Sequence, residues 1–299
     1  MLLARPFLRT IIAKVPSLPS LLHRETIRNW ASSRTPRTHY FKKGALLGLL
    51  ASSSVFALGS YCKMAESSKD DDIIKQADDL MAQNKIKEAY DVLNAHKDTE
   101  NPEILWRFAR ICYRQGKYHT PDTKEAQSLA NMGLEYASKA IALNDKCYFA
   151  YRWKGVLLNW SLEFEGYKKK IEKSFEIREN FDKAAELNPT DASTRHLIGR
   201  WCFEVANVPW YMRKAAQYIF TTPPSSTYDE ALSFFLKAEE ISPGFYCSNW
   251  LFIGKCYLNL GKKDEARVWL EKAAGYKNEV LMGDDNEAIE DAKKLLQTL

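Results

Sequence analysis

The side chains with the strongest chemistry in this chain are cations and aromatic rings, and their grouping favours holding an anion over making or breaking bonds. Lys168, Lys169 and Lys170, with Lys173 a turn later, form one cationic cluster, and Lys262, Lys263 and Arg267 form a second. Clusters of this kind place positive potential where an acidic partner can be held, whatever the net charge of the whole. A third group joins charge to ring surface, because Trp210, Tyr211, Arg213, Lys214 and Tyr218 follow one another closely after Pro209. In a helix from Pro209 to Phe220, Tyr211, Ala215 and Tyr218 fall on one side and Arg213 and Lys214 on a more polar side. That arrangement suits a groove wall or a phospholipid contact. The competing expectation is that the three rings pack the segment onto its own repeat.

Nothing in the sequence assembles a catalyst. The phosphate-cradling pattern G-x4-G-K-[ST], the nucleophile elbow G-x-S-x-G and the zinc pair H-E-x2-H are all missing. The six cysteines, at 62, 112, 147, 202, 247 and 256, show no C-x2-C pairing and read as reduced, apolar fillers of helices. The histidines at 23, 39, 96, 119 and 196 are too scattered to imply a metal site. The expectation is a non-enzyme with no catalytic, cofactor or metal residues.

The elements that must carry these clusters are helical repeats. Trp250, Ile253, Gly254 and Tyr257, followed by Ala266, Leu270 and Ala273, reproduce the W-x2-L-G-x2-Y and A-x3-F spacing of a tetratricopeptide unit. Padded copies run upstream. Lys183 to Pro189 and Lys237 to Pro243 share a helix-ending signal in which proline cannot continue the helix. Lys139 to Asp145 keeps the pattern without proline, and its opening helix reads as Leu105 to Tyr113, ended by Gln115-Gly116-Lys117. The weakest copy pairs residues 73–81 with 86–93 across Gln83-Asn84-Lys85, and Asp284 to Leu299 reads as an amphipathic cap. The fold class is therefore all-α: a tetratricopeptide-like helical-repeat solenoid with enlarged repeats over 73–299, and its groove offers a site to protein partners. Lys168 to Lys173 are placed at the start of a long return helix. The largest insertion, 205–226, should emerge on one face and serve binding.

The amino-terminal segment has another character. Ten lysines and arginines stand before Glu66 against Glu25 alone, whereas the rest carries 33 basic and 37 acidic residues. The repeat domain thus has no net basic surface, which argues against nucleic acid. Residues 1–43, rich in arginine, serine and leucine, read as a mitochondrial targeting leader. Residues 44–62 are free of charge and, as a helix, reach ~28 Å, close to the ~30 Å of a bilayer interior. They form a candidate transmembrane helix, with 63–72 as a polar linker. The expected location is the mitochondrion, anchored in a membrane with the repeats in the cytosol.

Asn188 to Ala192, His196 to Cys202, Pro209-Trp210-Tyr211 and above all Thr222-Pro223-Pro224-Ser225-Ser226-Thr227-Tyr228 with Glu230-Ala231-Leu232 resemble the regulator of microtubule dynamics family. The likeness covers most of residues 73–275. It implies a non-enzymatic repeat protein that associates with microtubules, tubulin being the partner, and contributes to spindle function and chromosome segregation. It also implies that some relatives are membrane-anchored at mitochondrial contact sites and bind phospholipid. For members without a leader it implies the cytoplasm, spindle and spindle poles.

Overall fold

Each helix begins where the sequence offers a cap and ends where it offers a breaker. The computed structural model describes residues 69–218, 223–277 and 284–299. Residues 69–82 form α1, and α2 spans Ile86–Asn94, with Asn84 taking a left-handed φ of 57° in the turn between them. Asn101 opens α3 (Pro102–Tyr118) by accepting from the Glu103 N–H, with Pro102 in the first turn, where its missing donor costs nothing. Asp122 accepts from the N–H groups of Lys124 and Glu125 to open α4 (Thr123–Leu143). Next come α5 (Tyr148–Glu165), the short α6 (Tyr167–Glu172) and α7 (Ser174–Leu187), which stops before Asn188-Pro189. Asp191 caps α8 (Ala192–Ala206); α9 is Trp210–Ala216; Thr227 caps α10 (Tyr228–Ile241) through the Glu230 N–H. The last pair is α11 (Cys247–Asn259) with α12 (Lys263–Ala274), followed by α13 (Asp285–Leu296).

The pairs are α1 with α2, which share a core of Ile73, Ala77, Met81, Ile86, Ala89 and Leu93, then α3 with α4, α5 with α7, α8 with α10, and α11 with α12, and each return helix also packs on the next opening helix. What holds a pair together is a small residue facing a large one. A Cβ built on Gly155 would fall 2.5 Å from Phe181, and one on Gly199 or Gly254 would strike Phe235 or Leu270. These glycines let the helices close, and Ala184, Ala238 and Ala273, three residues after each large partner, are fully buried. Ala288 and Ala292 of α13 join the same core, with Ile289, Leu295 and Leu296 against it, so this helix closes the stack as a cap.

Three expectations need correction. Gly116 does not end its helix: α3 runs on to Tyr118, and the glycine makes room for the Trp160 ring instead. The long return helix after Gly166 is broken at Lys173, whose φ of −96° and ψ of 2° separate α6 from α7. The insertion helix is shorter than Pro209 to Phe220: α9 stops at Ala216, and Tyr218 lies in the following turn. Among the described residues no helix is long and apolar enough to cross a membrane. The leader 1–43, the span 44–62 and Cys62 lie outside the described residues.

Candidate functional site

The opening helices turn one stripe of side chains toward a common cavity of about 920 Å3. Taking the small residue of each opening helix as reference, Arg152 and His196 stand three positions before Gly155 and Gly199. Arg110 and Arg200 stand one position after Ala109 and Gly199, and Arg114 follows Arg110 by four. These i, i+4 and i+8 places share a face, and all five side chains line the cavity. Its walls are aromatic: Tyr113 and Tyr118 from α3, Trp153 and Trp160 from α5, Trp201 from α8, then Phe245, Tyr246 and Tyr276. The large insertion supplies another wall through Met212, Arg213, Gln217, Pro223 and Pro224.

The electrostatics are uneven. Arg152 holds Asp191 through contacts of 2.8 and 3.0 Å and stacks on Phe149 at 4.8 Å, so it is fully engaged. Lys117 takes Glu163 at 2.9 Å. Arg110 makes no hydrogen bond or ion pair among the described residues. Burial, with Arg114 and Arg152 beside it, lowers its pKa to about 10. The Nε atoms of Arg114 and Arg200 and the indole N–H of Trp153 are buried without an acceptor. The His196 Nδ1–H donates to Asn249 Oδ1 at 3.0 Å, among the rings of Phe235, Phe245, Tyr246 and Phe252. Burial first and Arg200 second push its pKa down to about 3, so it is neutral in the cell. The Tyr246 hydroxyl donates to Asp284, and burial followed by that carboxylate raises the tyrosine well above its usual value.

Cysteine nucleophiles do not belong to this site. Burial raises Cys202 to about 11 and Cys247 and Cys256 to about 12, and the five described cysteines are unpaired and buried. A thiolate is inaccessible at those values.

The sequence-derived candidates divide three ways. In the first cluster, Lys168, Lys169 and Lys173 are tied to Glu172, Glu165 and Glu176 at 3.8, 3.1 and 2.8 Å, while Lys170 lines the cavity. Lys262, Lys263 and Arg267 are exposed on and beside α12, and none pairs with a carboxylate among the described residues. In the insertion only Arg213 of the five faces the cavity, and its guanidinium reaches the carbonyls of Val208 at 2.8 Å and Ala206 at 3.4 Å, closing the end of α8. Trp210, Tyr211 and Tyr218 are 74%, 59% and 88% exposed, so they do not pack the insertion onto its repeat. The reason is the early end of α9, which strands Tyr218 beyond the helix face it was expected to share. The cavity arginines Arg110, Arg114, Arg152 and Arg200 were missed because they are dispersed in sequence. Their shared register to the small residue was the signal that could have found them.

Comparison with known proteins agrees with the fold. The family model for regulator of microtubule dynamics protein 1-3 matches residues 73–299. Regulator of microtubule dynamics protein 1 of Pongo abelii is 38% identical over 242 residues, covering 79% of this chain and 76% of that protein. Regulator of microtubule dynamics protein 3 of Rattus norvegicus is 38% identical over 206 residues, 67% of this chain but only 43% of that longer protein. Among solved structures, a thermophilic TPR protein of Thermus thermophilus superposes with a TM-score of 0.52 at 16% identity, over 75% of this chain and 98% of that one. That likeness speaks to the fold alone.

Proposed function

The chain belongs to the regulator of microtubule dynamics family, and on that premise we propose that its repeat domain is a non-enzymatic adaptor that binds microtubules and so contributes to microtubule dynamics, spindle function and chromosome segregation. The family match over residues 73–299 carries this reading. The charge pattern favours one surface for it. Lys168, Lys169 and Lys173 are largely neutralised by neighbouring glutamates, whereas Lys262, Lys263 and Arg267 are exposed and pair with no carboxylate among the described residues, which leaves them open to an acidic filament. Exposed contacts of this kind weaken as the Debye length falls from ~10 Å at 0.1 M salt to ~3 Å at 1 M. Co-sedimentation with microtubules should therefore occur at low salt and be lost at high salt. Reversing Lys262, Lys263 and Arg267 to glutamate should weaken it about tenfold, more than reversing Lys168, Lys169 and Lys170. Binding that ignores both salt and the α12 reversal overturns the reading.

A second reading concerns the membrane, and the exposed rings of Trp210, Tyr211 and Tyr218 beside Lys214 favour it. Aromatic rings with a polar edge settle at the headgroup level of a bilayer. In this reading residues 1–43 deliver the chain to mitochondria, 44–62 anchor it, and the repeat domain meets phospholipid from the cytosolic side. Changing the three aromatics to serine should leave stability within roughly 0.5 kcal/mol, as surface changes do, and reduce binding to anionic vesicles. Arginine at Leu50 or Val55 should cost ~2.5 to 3.5 kcal/mol of insertion and release the chain from carbonate-washed membranes. Unchanged retention in both variants would mean that residues 44–62 are not the anchor, and an unmodified chain that is itself released by carbonate would favour an unanchored chain in the cytoplasm and at the spindle.

A further inference from the structure

The cavity is lined by the carboxylates of Glu163, Glu204, Asp284 and Asp285, yet it also holds buried donor atoms that no acceptor among the described residues meets. Asp78, the carboxylate that acts favourably on Arg110, is bound by Arg107 at 2.9 Å. Among the described residues the Arg114 guanidinium donates to Asn84 Oδ1 at 3.3 Å and lies 6.0 Å from the Tyr118 ring, while its Nε, like the indole N–H of Trp153 on the same cavity, is buried and unpartnered. Further along, Arg200 meets Glu204 at a loose 3.7 Å and lies over the Phe252 ring at 4.0 Å, with its Nε also buried and unpartnered. Buried polar donors in proteins are normally satisfied by protein, water or ligand. Two guanidinium sites with unmade donors on one cavity wall are the chemistry of acceptor recognition.

Arg110 and Arg114 stand on α3 and Arg200 on α8. Arg200 nonetheless acts on Tyr113, the neighbour of Arg114, so the two sites open onto a single cavity from different helix pairs. A peptide carries acceptors all along its length and can serve both sites at once, and the rings of Tyr113, Trp153 and Trp201 along the wall give its side chains apolar surface.

We propose that this cavity receives an extended acidic peptide, with a side-chain carboxylate held by Arg110 and Arg114 and a second acceptor, further along the same peptide, held by Arg200. The proposal rests on the microtubule reading only for the source of the peptide, since a tubulin tail is an acidic chain. It is independent of the exposed cations on α12. Burial and the neighbouring arginines that depress Arg110 are the conditions an incoming carboxylate relieves.

The test uses the purified full-length chain and fluorescein-labelled octaglutamate, followed by anisotropy. Octaglutamate should bind and octaglutamine should not, and the Arg110→Gln/Arg114→Gln variant should bind octaglutamate at least about tenfold more weakly. Its melting temperature should fall little, because Arg110 has no protein partner to lose among the described residues and Arg114 gives up one 3.3 Å contact with Asn84. Should the double variant melt early, Arg114→Gln alone carries the comparison. Absence of octaglutamate binding, or equal binding by the variant, overturns the proposal. So does an arginine-dependent affinity for phosphatidic acid vesicles without octaglutamate binding, which assigns the donors to a lipid. Microtubule co-sedimentation that persists while octaglutamate fails to bind sinks the cavity site alone. Octaglutamate binding without co-sedimentation upholds the site and sinks the microtubule reading.

Discussion

His196 shows how far a single side chain here is removed from its solution behaviour. Its folded pKa of about 3 lies below the ordinary 6.5, so the folded state binds fewer protons than the unfolded one. Its contribution to stability is complete above pH 6.5 and is lost as pH falls from there toward 3. The slope is at most about 1.4 kcal/mol per pH unit. Urea melts at pH 7 and pH 5 should show the unmodified chain losing up to ~2 kcal/mol more than His196→Gln, with the shared carboxylate titrations cancelling. Equal losses would mean that the ring is not held neutral by its burial. The histidine was visible in sequence only as an isolated residue. Its partner Asn249 stands 53 positions away, and no local pattern announces such a pair.

At the scale of the element, the helix pair is what the sequence displayed most clearly. The Gly254 to Ala273 unit reads directly, and its Gly155 and Gly199 counterparts follow from the same packing rule, because a small residue facing a large one must recur wherever two helices close. Gly155→Ala tests that rule. The alanine gains ~1 kcal/mol of helix propensity but drives its methyl into the buried Phe181 ring, and overpacking costs ~1 to 3 kcal/mol. A net loss of about 1 kcal/mol is expected, and it should shrink in a Phe181→Leu background, where the ring is gone. A loss that is the same in both backgrounds would place the strain elsewhere. Irregular elements were less legible. The break at Lys173 and the short α9 depend on where the chain must turn back onto the stack, and residues 205–226 carry proline and aromatic signals without the repeat spacing that sets a helix length. The cavity arginines were hidden for a related reason: a stripe assembled from α3, α5 and α8 is periodic across helices, not along the chain.

For the whole molecule, stability is a sum over neighbours, and an end without a neighbour must be covered. α13 does this with Ala288 and Ala292 buried and Ile289, Leu295 and Leu296 packed against the last pair. A chain ending at residue 284 should unfold at lower denaturant and bind a dye for exposed apolar surface, while the far pair, α1 with α2, is little affected. Hydrogen exchange resolves the two ends. Protection lost uniformly from α1 to α12 would mean that the stack behaves as one cooperative block and not as linked neighbours.

The carboxylate of Asp284, at the threshold of α13, acts across the cavity on Tyr118 and Tyr113 at the far end of α3 as well as on Tyr246. The packing contacts of a stack of helix pairs join neighbouring elements, and such contacts assemble quickly because little chain entropy is spent in closing short loops. This one brings together positions separated by most of the repeat domain. Its influence therefore needs the intervening pairs to be stacked, and a variant Asp284→Asn should change the environment of Tyr118 and Tyr246 together, which ties the two ends of the cavity rim to one charge.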